Sequence, residues 1–160
     1  MAEQIIINGI DKEAKYQELV PQLTGLVMGE DDIIANMANL SAGLAMVFDW
    51  LWIGFYLVKD SVLVLGPFQG PIACTRIAYN KGVCGKAWSS KQVQIVPNVD
   101  LFAGHIACSS LAKSEIVLPL INSAGEVWAV LDIDSVELNT FDEIDAKYLR
   151  QVTELLIKRD

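Results

Sequence analysis

The segments Glu115-Ile-Val-Leu-Pro-Leu-Ile121 and Val127-Trp-Ala-Val-Leu-Asp-Ile133 decide the fold of this chain. Both are dominated by β-branched and apolar residues, which favour strands. The residues that join them, Asn122-Ser-Ala-Gly125, have the composition of a turn. The whole stretch therefore predicts a β-hairpin, and the other elements are placed relative to it.

Shorter elements are predicted on the N-terminal side of this hairpin. Residues 52–58 and 62–65 predict another hairpin, and the glycines and prolines of residues 66–71 predict a loop that follows it. Three further elements are predicted between the two hairpins: a short helix over residues 83–89, a short strand over 93–96 and a loop over 98–113.

Helical patterns lie towards the two ends of the chain. Apolar residues at helical spacing predict one helix over residues 11–28 and a second that ends near residue 48. Pro21 lies inside the first pattern, and we expect it to kink or split that helix because proline lacks an amide hydrogen. Thr140-Phe-Asp-Glu143 has the pattern of a capping box, which predicts the start of a last helix.

This order of elements indicates an α+β fold. We expect a central, mostly antiparallel sheet with helices on one face and long loops on the other. Those loops contain all three cysteines of the chain. Ligand sites tend to lie on loops that a rigid sheet carries, so we expect the functional site there.

Composition excludes several classes of partner. A length of 160 residues fits one domain, expected to span residues 1–160, and a net charge of −8 argues against binding to nucleic acid. No apolar run approaches the roughly 20 residues that span a bilayer, and the start, Met1-Ala-Glu-Gln4, lacks the basic region of an export signal. We therefore expect a cytoplasmic protein that does not bind a membrane. We also expect it to need no cofactor.

Reactive side chains are concentrated in one part of the chain. Cys74, Cys84, Cys108 and the only histidine, His105, all fall there. A cysteine taken singly is most often a small buried hydrophobe. Ten positions separate Cys74 from Cys84, and 24 separate Cys84 from Cys108, whereas structural zinc sites pair ligands two to four residues apart. An odd count without an export signal argues against structural disulfides, so a redox pair with a third, supporting cysteine remains.

Carboxylates and aromatic residues provide the other candidate site residues. Asp132 and Asp134 share one face at the end of a predicted strand, and Glu115 opens the neighbouring strand. The three carboxylates either converge on one pocket, where they bind a cation or donate a proton, or are solvated strand ends. Trp52 and Tyr56 also share a strand face, where aromatics are usually core but can form a wall that holds a thioether, a sulfoxide or a cation.

Seven short motifs together resemble the free methionine-R-sulfoxide reductases, which are stand-alone GAF domains. The resemblance runs from about residue 10 to the C-terminus, and Ser109 departs from it because many members carry Asp there. The motifs are Trp52-Ile-Gly-Phe-Tyr56, Gly66-Pro-Phe-Gln-Gly70, Ala73-Cys74, Gly82-Val-Cys84-Gly85, His105-Ile-Ala-Cys108, Ser114-Glu115-Ile-Val and Leu131-Asp132-Ile-Asp134-Ser135.

The resemblance implies a thiol-dependent reduction of free L-methionine-(R)-sulfoxide. Cys108 is then the nucleophile, Cys74 the main resolving residue, and Cys84 an alternative partner or a substrate contact. The oxidised sulfur condenses with a second cysteine to a disulfide, which thioredoxin reopens. His105 either lowers the pKa of the thiol or fixes the loop.

The free amino acid defines the remaining roles. Glu115, Asp132 and Asp134 suit its ammonium and the proton donation, while backbone amides of the glycine-containing loops suit its carboxylate. Trp52 and Tyr56 suit the methyl-sulfoxide end. A homodimer is a further expectation. Two other hypotheses are a non-catalytic GAF sensor that binds a small ligand and a zinc-stapled interaction domain.

Overall fold

The structure, a computed structural model, describes residues 4–157. Residues 1–3, part of the start that was compared with an export signal, lie outside the described residues. In the described part, six strands and four α-helices follow one another along the chain. They are α1 (Lys12–Val27), α2 (Ile33–Val47), β1 (Trp52–Lys59), β2 (Val62–Gln69), β3 (Arg76–Ala78), α3 (Gly82–Ser90), β4 (Gln94–Val96), β5 (Ser114–Ile121), β6 (Val127–Ser135) and α4 (Glu143–Glu154).

The strands form one sheet in the order β3-β2-β1-β6-β5-β4, and every neighbouring pair is antiparallel. The hairpin that the sequence predicts most strongly is β5–β6, in which Ile116 lies opposite Ile133. Strand β6 also pairs with β1, so these two long strands form the centre of the sheet. The predicted α+β fold with an antiparallel sheet is confirmed.

Alternating side chains of the central strands build a different core on each face. Ile53, Phe55, Ile116 and Ile133 belong to the core that contains the buried residues of α1, α2 and α4. The intervening residues face the opposite way, where a smaller cluster includes Val83, Cys84 and Ala87 of α3. The long loops cover this second face, as predicted.

Pro21 does not split the first helix, since α1 is continuous from Lys12 to Val27. Two local predictions are wrong: the loop at Gly66 and Pro67, and the cap of the last helix. Strand β2 continues through Gly66 and Pro67, which the sequence assigns to a loop. Between the Gly54–Phe68 and Tyr56–Leu65 pairs, β2 has one residue more than β1, so Gly66 and Pro67 form a bulge, where a proline is tolerated.

The last helix uses a different cap from the predicted one. Asp142 caps α4 and forms a capping box with Asp145, whereas the Thr140 hydroxyl donates to Ser135 Oγ at 2.7 Å. Strand β3 was not predicted, and its three residues pair only with β2. Among residues 4–157, no helix has the length and apolar character needed to cross a membrane.

Candidate active site

Three carboxylates converge on the loop face of the central strands. Glu115 of β5 lies directly opposite Asp134 of β6, which in turn lies opposite Trp52 of β1. Asp132 points to the same face because side chains alternate along a strand, and its neighbour on β1 is Gly54. The predicted convergence of the three carboxylates in one pocket is therefore present in the structure, and the alternative of solvated strand ends is not.

Asp132 differs from Asp145, another buried carboxylate of the described residues, in its hydrogen-bond and ion-pair partners. Asp145 is fully buried between α1 and α4, where it accepts from the Tyr16 hydroxyl at 2.7 Å and pairs with Lys12 at 2.6 Å. Glu115 and Asp132 are each only 6% exposed. Asp132 Oδ1 is the one buried side-chain polar atom in residues 4–157 that has no hydrogen-bond partner. A buried acceptor without a partner costs free energy, which is typical of a site that awaits a ligand.

Burial also changes the protonation of the carboxylate cluster formed by Glu115, Asp132 and Asp134. Desolvation raises the pKa of each of the three well above its ordinary value, and repulsion between the neighbouring carboxylates raises it further. The cluster therefore retains protons at a pH at which exposed carboxyl groups have lost theirs. A protonated carboxyl group beside a reacting sulfur is a potential proton donor.

A disulfide joins two loops above the carboxylate cluster. It links Cys74, between β2 and β3, to Cys108, in the loop that precedes β5, with a Cα–Cα distance of 5.3 Å. Cys74 is half-buried and Cys108 is exposed. The sequence alone left the pairing of the three cysteines open, and the resemblance implied this pair.

Trp52 and Tyr56 hold the loop that carries Cys74. The Tyr56 hydroxyl donates to the carbonyl oxygen of Cys74 at 2.9 Å, and the Trp52 indole N–H donates to the carbonyl oxygen of Pro71 at 3.1 Å. Their rings stack with centroids 5.8 Å apart. Gly54, between them on the same face, leaves room for this arrangement, because a Cβ there would lie 2.6 Å from the Trp52 ring.

Helix α3 places the third cysteine beneath the cavity. Cys84 is free and only 3% exposed. Desolvation raises the pKa of its thiol well above the ordinary value, and the charges of Asp132 and Glu115 act in the same direction. A thiol that resists ionisation is a poor nucleophile, since the thiolate is the reactive form.

The start of α3 borders the same cavity. Its N-cap residue, Lys81, makes no side-chain capping hydrogen bond. Gly82 has φ +60°, a left-handed conformation that favours glycine, and it lines the cavity with Val83 and Cys84. Uncapped amides at a helix N-terminus attract anions.

His105 contacts the carboxylate cluster rather than a cysteine. Its Nε2 atom lies 3.6 Å from Glu115 Oε2. Burial lowers the pKa of His105, and the pKa of Glu115 is raised, so at neutral pH the imidazole is neutral and its carboxyl neighbour tends to keep its proton. A neutral imidazole supplies no positive charge to a thiolate, which favours the loop-fixing role over the pKa-lowering role.

These groups line two small adjoining cavities of about 30 and 20 Å³. Cys108, Ser109, Asp132 and Asp134 line both of them. Cys84, His105 and Glu115 line the larger cavity, and Trp52 and Tyr56 line the smaller one. In the disulfide form this space suits one or two water molecules and is too small for an amino acid.

Several contributions to the site were absent from the sequence-based prediction. Ile72 and Ile106 line the smaller and the larger cavity respectively, and they are 91% and 40% exposed. Each precedes a disulfide cysteine by two residues, which is a signal that the sequence contains. No sequence signal points to the carbonyl oxygens of Pro71 and Cys74, which accept the hydrogen bonds of Trp52 and Tyr56.

The buried carboxylates are expected to lower the stability of the fold. Because their pKa values are raised on folding, the folded state binds more protons than the unfolded state, so stability falls as pH rises above the ordinary carboxyl range. Asp132→Asn removes one of these groups. We expect it to raise the free energy of unfolding, more at pH 8 than at pH 5, by about 1.4 kcal/mol for each unit of pKa shift removed.

Denaturant unfolding of the disulfide form at the two pH values measures this difference. The matched control is Asp31→Asn, which removes an exposed carboxylate outside the site. Equal stability differences at pH 5 and pH 8 for Asp132→Asn would contradict the expectation.

Comparison with known proteins identifies the family. A family profile for the GAF domain matches residues 31–156. The chain is 56% identical to GAF domain-containing protein A of Dictyostelium discoideum over 98% of this chain and 99% of that protein. It is 45% identical to the free methionine-R-sulfoxide reductase of Escherichia coli over 93% of this chain and 90% of that one.

A solved structure gives the same result. The free methionine-R-sulfoxide reductase of Neisseria meningitidis, in complex with its substrate, superposes with a TM-score of 0.93 at 48% identity, covering 96% of this chain and 92% of that one. These matches span nearly the full length of both partners and agree with the resemblance that the sequence motifs indicate. The chain belongs to the GAF-domain family and, within it, to the free methionine-R-sulfoxide reductases.

Proposed function

We propose that this chain reduces free L-methionine-(R)-sulfoxide to L-methionine with its own thiols. One observation supports the proposal most strongly. Cys108, which belongs to the disulfide, and the buried carboxylate cluster, which can bind a cation, line the same cavity. A thiol performs the reduction, and the cluster selects a substrate with a free ammonium group.

The carboxylate cluster suits the ammonium because it has no positive partner in the cavity. Neither Lys nor Arg is among the lining residues, and His105 is neutral at neutral pH. Asp132 Oδ1 has an unused acceptor site that an ammonium N–H can fill. A methionine residue inside a peptide has no ammonium, so this contact favours the free amino acid.

The carboxylate and the methyl-sulfoxide end of the substrate have partners as well. The uncapped amides at the start of α3 suit the substrate carboxylate. Trp52 and Tyr56 line the cavity beside Cys108, where their rings can pack against the methyl-sulfoxide end. The substrate then spans the distance from the α3 start to the aromatic pair, with its sulfur beside Cys108.

The chemistry proceeds in three balanced steps. Cys108 attacks the sulfoxide sulfur, a carboxyl group of the cluster supplies a proton to the oxygen, and methionine leaves as Cys108 becomes a sulfenic acid. The Cys74 thiol then condenses with the sulfenic acid, which forms the disulfide and releases water. Finally, an external dithiol exchanges with the disulfide, so that both cysteines are reduced and the dithiol is oxidised.

Cys84 is assigned a supporting role in this scheme. Its burial and raised pKa make it a weaker nucleophile than an exposed cysteine, and it lies beneath the substrate cavity. We assign it to substrate contact, with disulfide exchange as a secondary capacity. All residues of the scheme come from one chain, so a homodimer is compatible with the reaction but not needed for it.

The external dithiol is proposed to be a thioredoxin-type protein in the cytoplasm. Exposed Ile72 and Ile106 flank the disulfide, and Leu111, 59% exposed, follows Cys108 by three residues. An apolar border around a reactive disulfide suits contact with a dithiol protein rather than with a small hydrophilic thiol alone.

Leu111→Asp tests this surface, because Leu111 is exposed and lines neither cavity. We expect the KM for thioredoxin to rise about tenfold, the effect of losing roughly 1.4 kcal/mol of contact, while turnover supported by dithiothreitol stays unchanged. Ile10→Asp is the matched control, since Ile10 is 93% exposed and precedes α1. Equal losses with both reductants would mean that Leu111 affects substrate binding rather than contact with the protein partner.

Cys74→Ser separates reduction of the sulfoxide from regeneration of the enzyme. We expect one equivalent of methionine per chain to form at nearly the wild-type rate, because Cys108 is intact. Thioredoxin-supported cycling should fall by at least about tenfold, since the sulfenic acid has lost its resolving partner. Quenched single-turnover assays and steady-state assays measure the two rates. A dominant Cys84–Cys108 link after substrate treatment of the wild type would move the resolving role to Cys84.

The activity itself is tested with both epimers of free methionine sulfoxide and a dithiol. Chromatography should show consumption of the (R) epimer and an equal amount of methionine. A protein that binds the sulfoxide without consuming it would be a GAF sensor, the alternative function that the sequence left open.

A further inference from the structure

We propose that the substrate cavity is also a binding site for a thiophilic divalent cation, Zn²⁺ or Cd²⁺, held by Cys84, Glu115 and Asp132. The cation occupies the position of the substrate ammonium, so it excludes free methionine sulfoxide. Metal binding stands on the geometry alone, whereas the exclusion of substrate rests on the proposed function.

The three ligand groups are already gathered. One ligand atom from each of Cys84, Glu115 and Asp132 lies within 4.8 Å of the others, and all three residues are buried. Protein zinc sites have ligand distances of about 2.0–2.3 Å, which places neighbouring ligand atoms roughly 3–4 Å apart. Side-chain shifts of about 1 Å therefore close the set around an ion.

An independent observation points to a ligand beside Asp132. Asp132 Oδ1 is buried without a hydrogen-bond partner, although Asp132 is only 6% exposed. The cavity beside it, of about 30 Å³, has room for a water-sized ion. When the ion displaces the thiol proton of Cys84 to solvent, the thiolate and the two carboxylate groups around this space form a set of ligands of the kinds that bind Zn²⁺.

This set differs from the three-cysteine, one-histidine site that the sequence spacing argues against. Cys74 and Cys108 are joined to each other and are not available as ligands in the disulfide form. Cys84 is free, and it comes from α3 while the two carboxylates come from β5 and β6. The cation site therefore persists while the enzyme waits for its reductant.

The fourth position of the ion faces the cavity. Three protein ligands and one open position are typical of zinc sites that exchange a water or a small molecule. Because the same carboxylates suit the substrate ammonium, cation and substrate compete. Zn²⁺ is expected to raise the apparent KM for methionine sulfoxide and to leave kcat unchanged at saturating substrate.

Cd²⁺ is the direct probe, because its bond to a thiolate absorbs in the ultraviolet. The disulfide form of the wild type should bind one equivalent with this absorption, and Cys84→Ala should lose it. Glu115→Gln and Asp132→Asn should each weaken Cd²⁺ by at least about tenfold, whereas Asp31→Asn should not. No absorption in the wild type, or binding that is indifferent to both carboxylates, overturns the site.

Competition is tested in a variant that cannot consume the substrate, Cys74→Ser with Cys108→Ser, in which Cys84 is the remaining cysteine. Free methionine-(R)-sulfoxide should weaken Cd²⁺ binding in proportion to its concentration. Binding that ignores the sulfoxide overturns the exclusion and leaves the metal site standing. A wild type that binds Cd²⁺ but reduces no sulfoxide would instead refute the proposed function.

Discussion

Cys108→Ser is expected to form no methionine from free methionine-(R)-sulfoxide, even when enzyme exceeds substrate. The serine hydroxyl cannot take the sulfoxide oxygen, and the other two cysteines are poorly suited to do so. Cys84 is buried with a raised pKa, and Cys74 is the half-buried cysteine on the opposite loop. The loss should therefore reach the uncatalysed background. Mass spectrometry of methionine in a single-turnover reaction measures it.

The matched control for this variant is Ser110→Ala, an exposed change two positions further along the same loop. It should keep full single-turnover activity, which shows that the loop tolerates substitution. One equivalent of methionine from Cys108→Ser in the absence of reductant would contradict the assignment and make Cys84 the candidate nucleophile.

Removal of charge from the carboxylate cluster is expected to have the second largest effect. Glu115→Gln, Asp132→Asn and Asp134→Asn should each slow the reaction by orders of magnitude without unfolding the chain. A hydrogen bond to a charged group is worth about 1.5–3 kcal/mol, and proton donation contributes about 10²–10⁴-fold. The variant that loses the ammonium contact should raise KM, and the variant that loses the proton donor should lower kcat.

The substrate provides an independent test of the same contact. N-acetylmethionine sulfoxide lacks the ammonium, so we expect its kcat/KM to fall at least about as far as that of the ammonium-contact variant. Steady-state kinetics with the free and acetylated epimers measure this ratio. Similar rates for the free amino acid, its acetylated form and a methionine sulfoxide peptide would mean that the cluster is not an amine site.

Much of the fold follows from local patterns. The β5–β6 hairpin is predicted because two apolar segments flank a turn, and the helices are predicted because their apolar residues recur at helical spacing. The errors lie where tertiary context overrides local chemistry. Pro67 stays in β2 because it lies in a bulge of that strand, and Asp142 rather than Thr140 caps α4.

The site is only partly predictable from the residues alone. The alternation of side chains along a strand places Asp132 and Asp134 on one face, and Glu115 lies on the adjacent strand. The register of the sheet then makes Glu115 and Asp134 direct neighbours. The disulfide partner of Cys108 depends on how two loops separated in sequence meet, so spacing left it open and the family resemblance implied it. The depth of Cys84 depends on where α3 packs, which no short pattern reveals.

The disulfide also raises the free energy of unfolding of the chain. It joins residues 34 positions apart, and a cross-link of that span lowers the entropy of the unfolded chain by the equivalent of about 3–4 kcal/mol. For a protein of this size each kcal/mol raises the melting temperature by about 2–4 °C. The oxidised chain is thus the heat-resistant one. When reductant is scarce and oxidised chains accumulate, the enzyme that waits is protected against unfolding.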